Sequence, residues 1–523
     1  MKVNHIKHNL DLILVIIIYF IIGVCLLNYY QYGLNADGIS YISIAQEYLN
    51  GHFADAVNGC WSPLFSWLLI PFLPFSSSPQ FTVCLTKVLS LITGVLTIMG
   101  VKLLISRFEI DKKTETLMLF ALIPIILSFL FSIISPDILV TTILIYYLYI
   151  IFDSNYSNKK YTGVLCGILG ALAYLSKSYA LPFFLAHFLL FNLFYYFKGT
   201  NKEKQRKILK NLILGLMVFF IISGVWIALI SDKYGKLTFG TAGDYNYALV
   251  SPHSGGDFVY YAGLIKPPNE FAVSAWEDPS YFKMKTWNVL ESWDNFKYQL
   301  MLILSNTVKI ISIFEVASLF SVIIFITSII MVFKLKLKKV SKNKLIYLII
   351  TILLYSGGYS LIFIEPRYLW LINILLLIMG GYLLNLLSQR GFLRGTIKNI
   401  LFVFLILSFV VNPINSLILN LDIGKDSYSL SEALEYTYGV HGNLASNDDW
   451  RVSDYIAYYT CSKYYGQTKG NESYTDLKKE LKANNIDYYF VWGSSKENNY
   501  LSSNFKEITN GTINLLRIYS LKS

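Results

Sequence analysis

Charged residues are scarce in this sequence. Asp, Glu, Lys and Arg together make up 15% of the 523 residues, whereas hydrophobic residues make up 54%. A water-soluble chain of this length does not have enough interior to bury so many apolar side chains. Apolar stretches of about 20 residues, the length that crosses the hydrocarbon core of a bilayer, recur along most of the chain. The composition therefore excludes an ordinary soluble enzyme and predicts a membrane protein of many spans.

Cysteine is also scarce. The five cysteines show no CxxC motif and no paired spacing, and three of them lie inside apolar runs. This distribution argues against metal or redox chemistry through sulfur. Internal repeats and low-complexity tracts are absent as well, and the apolar run from Leu10 to Leu27 lacks the small-residue cleavage site of a signal peptide. We interpret that run as a first span that the protein retains.

The lengths of the apolar runs predict about eleven transmembrane helices. They lie near residues 10–29, 81–104, 115–134, 137–152, 161–176, 179–197, 208–230, 312–333, 344–363, 367–387 and 398–419. The run from Trp61 to Phe75 is too short and too rich in proline to cross alone. We therefore expect it to form an interfacial or re-entrant segment.

Lysine and arginine fall mainly in short loops, so the formal net charge of +11 does not indicate a nucleic-acid partner. Loops that stay in the cytoplasm collect basic residues. If the N-terminus is cytoplasmic, every inner loop is basic, with six Lys or Arg in residues 198–210 and six in residues 334–344. The short outer connections hold only Lys177 and Arg367. We predict a multi-pass protein of the cell membrane with its N-terminus in the cytoplasm.

Three hydrophilic parts of the chain then face outward. They are a first loop at about residues 31–60, a long loop at about 231–311, and a tail from about residue 420. In the long loop, residues from Met284 to Ile311 are predicted to lie as an amphipathic helix on the membrane surface. The tail alternates helix-like with strand-like segments, namely 430–438, 450–460 and 475–483 against 486–492 and 512–520.

These patterns predict the fold class and two domains. The fold is an all-α polytopic membrane protein that carries a small α/β domain outside the cytoplasm. Residues 1–420 form the transmembrane domain, and residues 421–523 form the extracytoplasmic domain. The role of the smaller domain does not follow from its sequence.

Ionisable residues at the edge of a membrane are costly and are often functional. Asp37 follows the first span, where its carboxylate can act as a general base or, alternatively, form an Asp-Gly turn or helix cap. Asp137 in Ser135-Pro136-Asp137 is explained by local helix physics, since Ser caps, Pro takes the first helical position and Asp complements the helix dipole. Neither carboxylate indicates a function by itself.

Two cations belong to the same outer side. Lys177 ends the fifth predicted span, where a cation suits the helix C-terminus and can also reach the lipid headgroups. Arg367 opens an outward-to-inward helix, where the dipole disfavours positive charge, and it runs against the inward bias of basic residues. Pairing with Glu365 explains its position, and so does an anionic ligand.

The predicted topology places Asp37, Asp137, Lys177 and Arg367 at one membrane face. Transfer of a sugar from a lipid phosphate needs this mixture, because cations stabilise the leaving phosphate while a carboxylate activates the acceptor. Trp276, Trp287 and Trp293 in the long loop can stack on sugar rings, although tryptophan more often anchors a protein at the interface.

The sequence at these residues resembles the membrane glycosyltransferases of the GT-C class, particularly the protein O-mannosyltransferase and aminoarabinose-transferase branch. The first outer loop of that family carries an acidic pair, then a tyrosine, an alanine and a glycine, and then a proline-containing aromatic segment. The chain keeps this order in Asp37, Tyr41, Ala45, Gly51 and Trp61-Ser62-Pro63-Leu64. Ser135-Pro136-Asp137 is similar to the family's second aspartate motif, and Arg367-Tyr368 to its arginine-tyrosine motif.

The resemblance implies inverting transfer from a polyprenyl-phosphate sugar to a lipid, glycan or protein acceptor. It implies that Asp37 is the base and Arg367 a ligand of the donor phosphate. Tyr41, Asp137, Lys177 and Tyr368 are the other expected substrate-binding residues. The family's Asp-Glu pair is Asp37-Gly38 here, so the sequence indicates no metal ligands and no definite cofactor, while a divalent metal stays possible.

Other functions make different predictions. A transporter or flippase of lipid-linked sugars would use the same cations without chemistry, and it predicts internal repeats and helices broken by Gly or Pro near the midplane. The sequence shows neither clearly. A polymerase or ligase of lipid-linked glycans differs mainly in its acceptor, and Trp293-Asp294-Asn295 does not match the WWDYG motif of oligosaccharyltransferases. A sensor or scaffold would leave the membrane-edge residues unexplained.

Overall fold

The computed structural model describes residues 2–199, 201–252, 263–282, 287–334, 337–470, 473–493 and 497–522. Within these residues the chain forms a helical bundle followed by a small mixed domain. The helices that begin before the predicted long loop are α1 (Lys2–Tyr30), α2 (Ala36–Leu49), α3 (Phe53–Ala56), α4 (Leu64–Leu69), α5 (Pro79–Ile105), α6 (Lys112–Ser132), α7 (Asp137–Ile151), α8 (Thr162–Ser176), α9 (Ala180–Phe197) and α10 (Lys202–Tyr234). Those that follow are α11 (Ala242–Leu249), α12 (Trp293–Ala317), α13 (Ser321–Lys334), α14 (Lys339–Ser360), α15 (Trp370–Gln389) and α16 (Gly395–Leu419).

Eight helices of the described chain are long and apolar enough to cross a membrane. They are α1, α5, α6, α9, α10, α12, α15 with the 3-10 turn before it, and α16. The helices α7, α8 and α13 are apolar but only 14 or 15 residues long, and α14 has 22 residues. Ten of the predicted spans thus match single helices within a few residues, and the total of eleven crossings stays a prediction.

The predicted span at 312–333 differs from the structure, because two helices occupy it. Helix α12 begins at Trp293, within the predicted outer loop, and a break at Ser318 separates it from α13. Asn306 donates to the carbonyls of Ser360 and Ile362 at the end of α14, whereas Ser318 bonds to Ser408 in the middle of α16. The helix pair from Asn306 onward therefore runs from the end of α14 past the middle of α16.

The predicted surface helix at 284–311 belongs mostly to α12, which is long and apolar enough to cross a membrane. Its first residues, 284–286, lie outside the described residues. The sequence was misleading here because Asp294, Lys297 and Lys309 make this part look amphipathic, although a continuous helix runs on to Ala317.

The run from Trp61 to Phe75 forms α4 and a 3-10 turn over Ile70–Phe75. This segment packs against α2, since the Ser66 hydroxyl donates to the carbonyl of Tyr41 at 2.9 Å. Its two helical pieces have six residues each, far short of a full crossing, as the sequence indicated. The face of the bundle on which α2, this segment, α11 and the tail lie is called the loop end below.

The tail is a small α/β domain, as predicted. It contains α17 (Lys425–Tyr438), β1 (Asn443–Ser446), α18 (Trp450–Tyr459), β2 (Lys463–Gln467), α19 (Tyr474–Ala483), β3 (Tyr488–Trp492), α20 (Glu497–Asn504), β4 (Lys506–Glu507) and β5 (Leu516–Ser520). The strands form one sheet in the order β2-β1-β3-β5-β4, with β2, β1 and β3 parallel and β5 antiparallel to its neighbours. The short strands β1 and β2 were not predicted, because four or five residues carry too little alternation to be recognised.

The tail is fixed to the membrane part by its own side chains and by the long loop. The hydroxyl of Tyr458 donates to the carbonyl of Pro79 at 3.0 Å, and that of Tyr459 donates to the carbonyl of Tyr32 at 3.1 Å. Ser274 of the long loop pairs with Tyr464 at the free edge of β2. Helix α18 is therefore held directly against the loop end of the bundle.

Candidate functional site

Asp37 lies in the first turn of α2, where the positive end of the helix dipole stabilises a carboxylate. The side chain of the N-cap residue, Asn35, does not cap the helix. It accepts a hydrogen bond from the amide of Ile134 at 2.9 Å and donates to the carbonyl of the same residue at 3.2 Å. These two bonds hold the start of α2 beside the segment that leads into α7 and Asp137.

The packing around Gly38 explains why a glycine occupies the position of the second acid in the pair of the GT-C family that the sequence resembles. A Cβ atom at this position would lie 2.8 Å from the Cβ of Ile134 and 3.1 Å from Oδ1 of Asn35. Real Cβ atoms do not approach other carbon atoms so closely, so a glutamate here would push the two segments apart. The close packing that positions Asp37 thus excludes a side chain at the next residue.

Asp137 is the first residue of α7, and Pro136 rather than Ser135 occupies the N-cap position. The capping that we predicted for Ser135 is therefore reduced to a 3.4 Å hydrogen bond from the amide of Asp137. The Asp137 side chain is 3% exposed and forms an ion pair with Lys177, the residue that directly follows α8. A buried carboxylate that faces a cation from another helix does more than cap its own helix.

Arg367 joins this pair to Asp37. It lies in a 3-10 turn over Pro366–Leu369, and its Nη1 donates to Oδ2 of Asp37 at 2.7 Å. Its Nε donates to Oε2 of Glu365 at 2.5 Å and lies 3.8 Å from Oδ2 of Asp137. The predicted pairing with Glu365 is present. Glu365 is one of three carboxylates around the guanidinium.

Aromatic rings complete the surroundings of the cations. The ring centroid of Tyr368 lies 3.7 Å from Nζ of Lys177, which is a cation–π contact, and this ring stacks on Tyr359 at 4.8 Å. Tyr41 is buried and packs edge-to-face against Trp61 and Phe65. Four segments distant in sequence therefore form one polar cluster with an aromatic border.

The three tryptophans singled out in the long loop have different positions. Trp276 donates from Nε1 to Oδ1 of Asp37 at 3.1 Å. Trp287 donates to the carbonyl of Tyr247, and Trp293 is 67% exposed at the start of α12. Trp276 alone of the three reaches the cluster, and it does so as a hydrogen-bond donor to the carboxylate.

All six predicted site residues line one cavity of about 860 Å³ at the loop end. They are Asp37, Tyr41, Asp137, Lys177, Arg367 and Tyr368. A cavity of this size accommodates a small-molecule or sugar headgroup. The cavity is also lined by Trp450, Arg451 and Tyr455 of α18, which we did not predict.

The charges of the cluster nearly balance. Asp37, Asp137 and Glu365 face Lys177 and Arg367, so the cluster carries one excess negative charge when all five side chains are ionised. Among the described residues, no group of three or more His, Cys, Asp or Glu side chains is arranged to hold a metal ion. In this cluster, the side chains of Lys177 and Arg367 pair with the carboxylates.

Comparison with known proteins gives the fold. No protein-family model matches the sequence, and no curated protein matches it. ArnT from Cupriavidus metallidurans in the apo state is similar in structure, with a TM-score of 0.56 and 11% identity over 96% of this chain and 97% of that one. The same protein bound to undecaprenyl phosphate gives a TM-score of 0.55 with 10% identity over the same shares of both chains.

A second solved structure is similar over a smaller part of its own length. The Archaeoglobus fulgidus oligosaccharyltransferase in complex with Zn and sulfate has a TM-score of 0.54 and 13% identity over 91% of this chain and 68% of that one. ArnT and the oligosaccharyltransferase both belong to the GT-C glycosyltransferases. At these identities the likeness establishes the fold, and the GT-C fold predicted from the sequence is confirmed.

Proposed function

We propose that this protein is a glycosyltransferase that moves a sugar from a polyprenyl-phosphate donor to an acceptor on the outer face of the membrane. The observation that carries this proposal is the meeting of Asp37, Asp137, Lys177 and Arg367 in one cavity. The four residues lie up to 330 positions apart in the chain. A structural role for each one alone does not require them to share a cavity.

The reaction follows from the roles that these groups can fill. Asp37 takes the proton of an acceptor hydroxyl, whose oxygen bonds to the anomeric carbon while the bond from that carbon to the phosphate oxygen breaks. The product has inverted configuration, and the polyprenyl phosphate leaves. Trp276 and Arg367 hold the Asp37 carboxylate in a fixed orientation, which keeps its remaining lone pairs available to the acceptor.

The cations can serve the leaving phosphate without giving up their carboxylates. Arginine has five N–H donors, and the bonds from Arg367 to Asp37 and Glu365 use two of them. Lys177 has three donors and gives one to Asp137. Donors that remain are charge-assisted and stabilise the negative charge that develops on the phosphate.

The donor class has support from the fold and from the cavity. ArnT was solved with undecaprenyl phosphate bound. In this chain, Leu237 and Phe239 line the cavity and are 90% and 46% exposed. Large exposed apolar side chains at a membrane edge suit the hydrocarbon chain of a polyprenyl lipid.

We propose an orientation with the loop end outside and the N-terminus in the cytoplasm. The basic loops support it, because ion pairs bring their lysines together at one end of the bundle. Lys344 pairs with Glu109, Lys398 with Asp111 and Lys112 with Asp11. These pairs join the starts of α6, α14 and α16 at the end of the bundle opposite the cavity. In this orientation, residues 1–420 form the transmembrane domain and residues 421–523 an extracytoplasmic domain.

A transporter or flippase of lipid-linked sugars is the main alternative, and a polymerase or ligase differs from the proposal only in its acceptor. Within the described residues a helix break lies at Ser318, and no residue of α12 or α13 lines the cavity. Transporters place their broken helices at the substrate site. This feature therefore favours an enzyme.

The test is a transfer assay of the purified protein with a panel of polyprenyl-phosphate sugars. We expect Asp37→Asn to lower the turnover by about 10²- to 10⁴-fold, the contribution of a general base. Asp55→Asn is the matched control, because Asp55 lies in the same loop with its side chain 47% exposed. Full activity of Asp37→Asn would remove Asp37 as the base. Absence of transfer with every donor, together with uptake of a lipid-linked sugar, would favour the transporter.

A further inference from the structure

Helix α18 of the tail forms one wall of the cavity. Its C-terminal residues Tyr458 and Tyr459 are bonded to the ends of two membrane helices, and the helix packs against α2 and α5. Its N-terminal residues Trp450 and Arg451 point to the cavity, as does Tyr455 one turn later. The tail is thus a structural part of the site and not a separate module.

Arg451 stands in an electrostatically unfavourable place for a cation. It is the second residue of α18, where the helix dipole opposes positive charge. Its guanidinium carbon lies 4.7 Å from the centroid of the Trp450 ring, so the ring supports the side chain through a cation–π contact. Arg367 likewise lies at the start of a helix, where the dipole disfavours a positive charge.

Arg451 also differs from the other cations of the cavity wall. Lys177 and Arg367 form ion pairs with Asp137 and Asp37, and Lys236 forms one with Asp244 at 2.7 Å. In the described part of the chain, no Asp or Glu forms a salt bridge with Arg451, although the residue lines the cavity. Its five N–H donors therefore lie beyond salt-bridge distance of the described carboxylates, while Asp449 lies near enough for Arg451 to oppose the rise that burial causes in the pKa of Asp449.

Arg451 and Asp37 face the same space. Burial is the main cause that raises the pKa of Tyr455, followed by the charge of Asp454; Arg451 then lowers this pKa and Asp37 raises it. Tyr455 therefore lies within the electric fields of both residues. Because the cluster around Arg367 has one excess negative charge, a phosphate entering the cavity meets repulsion there that a further cation must offset.

We propose that Arg451, supported by Trp450, binds the phosphate group of a lipid-linked substrate, so that the tail supplies a specificity-determining residue to the site. This proposal rests on the proposed function for the identity of the reaction. The phosphate belongs either to the polyprenyl donor or to a phosphorylated lipid acceptor. Both present the same anion to Arg451.

The experiment measures binding to the full-length protein in lipid nanodiscs. The probes are undecaprenyl phosphate, its uncharged analogue undecaprenol, and dihexanoyl phosphatidic acid as a phosphate-bearing acceptor headgroup. The variants are Arg451→Gln and Arg451→Lys, and Lys479→Gln removes an exposed cation from α19 as the matched control. Thermal melting of each variant checks that it is folded.

We expect Arg451→Gln to weaken binding of undecaprenyl phosphate about 10- to 100-fold, the range for a lost hydrogen bond to a charged group. Binding of undecaprenol stays unchanged, Arg451→Lys keeps most of the affinity, and Lys479→Gln binds like the wild type. Loss of affinity for dihexanoyl phosphatidic acid alone would assign the phosphate to the acceptor.

Unchanged affinity of Arg451→Gln for both phosphate-bearing probes would overturn the proposal. Equal losses for undecaprenol and undecaprenyl phosphate would also overturn it, since they would show a packing role. If the wild type transfers no sugar but binds undecaprenyl phosphate through Arg451, the phosphate site stands and the proposed transferase reaction falls.

Discussion

Two buried groups of carboxyl side chains lie at opposite ends of α2, and the protein stabilises them in different ways. At the start of the helix, Asp37 is bound by Arg367. Near its end, Glu47 is fully buried against Glu277, which is 3% exposed. The lysines nearest to this second pair, Lys233 and Lys463, donate to main-chain carbonyls instead.

Burial favours the protonated form of the second pair, whereas the first group is stabilised by a cation. Burial is the main cause that raises the pKa of both Glu47 and Glu277, and the charge of Glu47 raises the pKa of Glu277 further. Asn269 donates to Oε1 of Glu277 at 2.6 Å, whereas both carboxyl oxygens of Glu47 are buried without a hydrogen-bond partner, which favours the neutral form of this group. The comparison shows that charge is kept at the cavity, while the buried pair away from it fastens the first loop to the long loop.

The largest expected effect comes from removing the cation of the first group. Arg367→Leu leaves Asp37, Asp137 and Glu365 with Lys177 alone, and breaking a buried ion pair from one side costs about 3 to 5 kcal/mol. We expect loss of sugar transfer and a lower melting temperature, measured in detergent at neutral pH. Arg394→Leu, at an exposed position near the start of α16, is the control. A variant that melts and transfers like the wild type would contradict the difference between the two groups.

A smaller effect is expected from filling the space beside Asp37. Gly38→Ala places a methyl group 2.8 Å from Ile134, and such overpacking costs about 1 to 3 kcal/mol. The donor KM and the turnover should both change, because the start of α2 must move away from α7. Gly224→Ala has open space around its Cβ position and should be neutral or slightly stabilising. Normal kinetics of Gly38→Ala would show that the position of Asp37 tolerates displacement.

The smallest effect concerns the protonated pair. Because the folded-state pKa of Glu47 and of Glu277 is raised above the ordinary value of 4.5, their contribution to stability is complete below about pH 4.5 and is lost as pH rises through the raised pKa values. Glu277→Gln keeps an oxygen that accepts from Asn269 but has no titratable carboxyl group. We expect its melting temperature to fall less with rising pH than that of the wild type. Parallel pH profiles of the two proteins would show that the pair is not protonated.

The sequence predicts the helical bundle well, since ten of the eleven predicted spans coincide with single helices. It differs from the structure at α12, where Asp294 and Lys297 hide the start of one continuous helix that runs from Trp293 to Ala317. In the site, Arg367 was recognised because a cation at a helix start is unfavourable. Arg451 satisfies the same criterion at the predicted helix 450–460, so that signal was present in the sequence.

Other parts of the site cannot be recognised from the sequence. The hydrogen bond from Trp276 to Asp37 joins residues 239 positions apart, and no local pattern in the long loop marks this tryptophan among its neighbours. The pairing of Glu47 with Glu277 depends equally on how two loops fold together. Only the tertiary structure shows that Asn35 and Gly38 fix the position of Asp37 through Ile134.

The order in which the ribosome makes these residues has a consequence for assembly. Asp37 and Asp137 are synthesised long before their partner Arg367, and the tail wall with Arg451 comes last. In a nascent chain inserted up to α14, Asp37 therefore lacks its counter-charge, whereas Asp137 already has Lys177, and the cavity is not closed. The site becomes complete only when translation is nearly finished, so a partly made chain in the membrane has no competent site for a lipid phosphate.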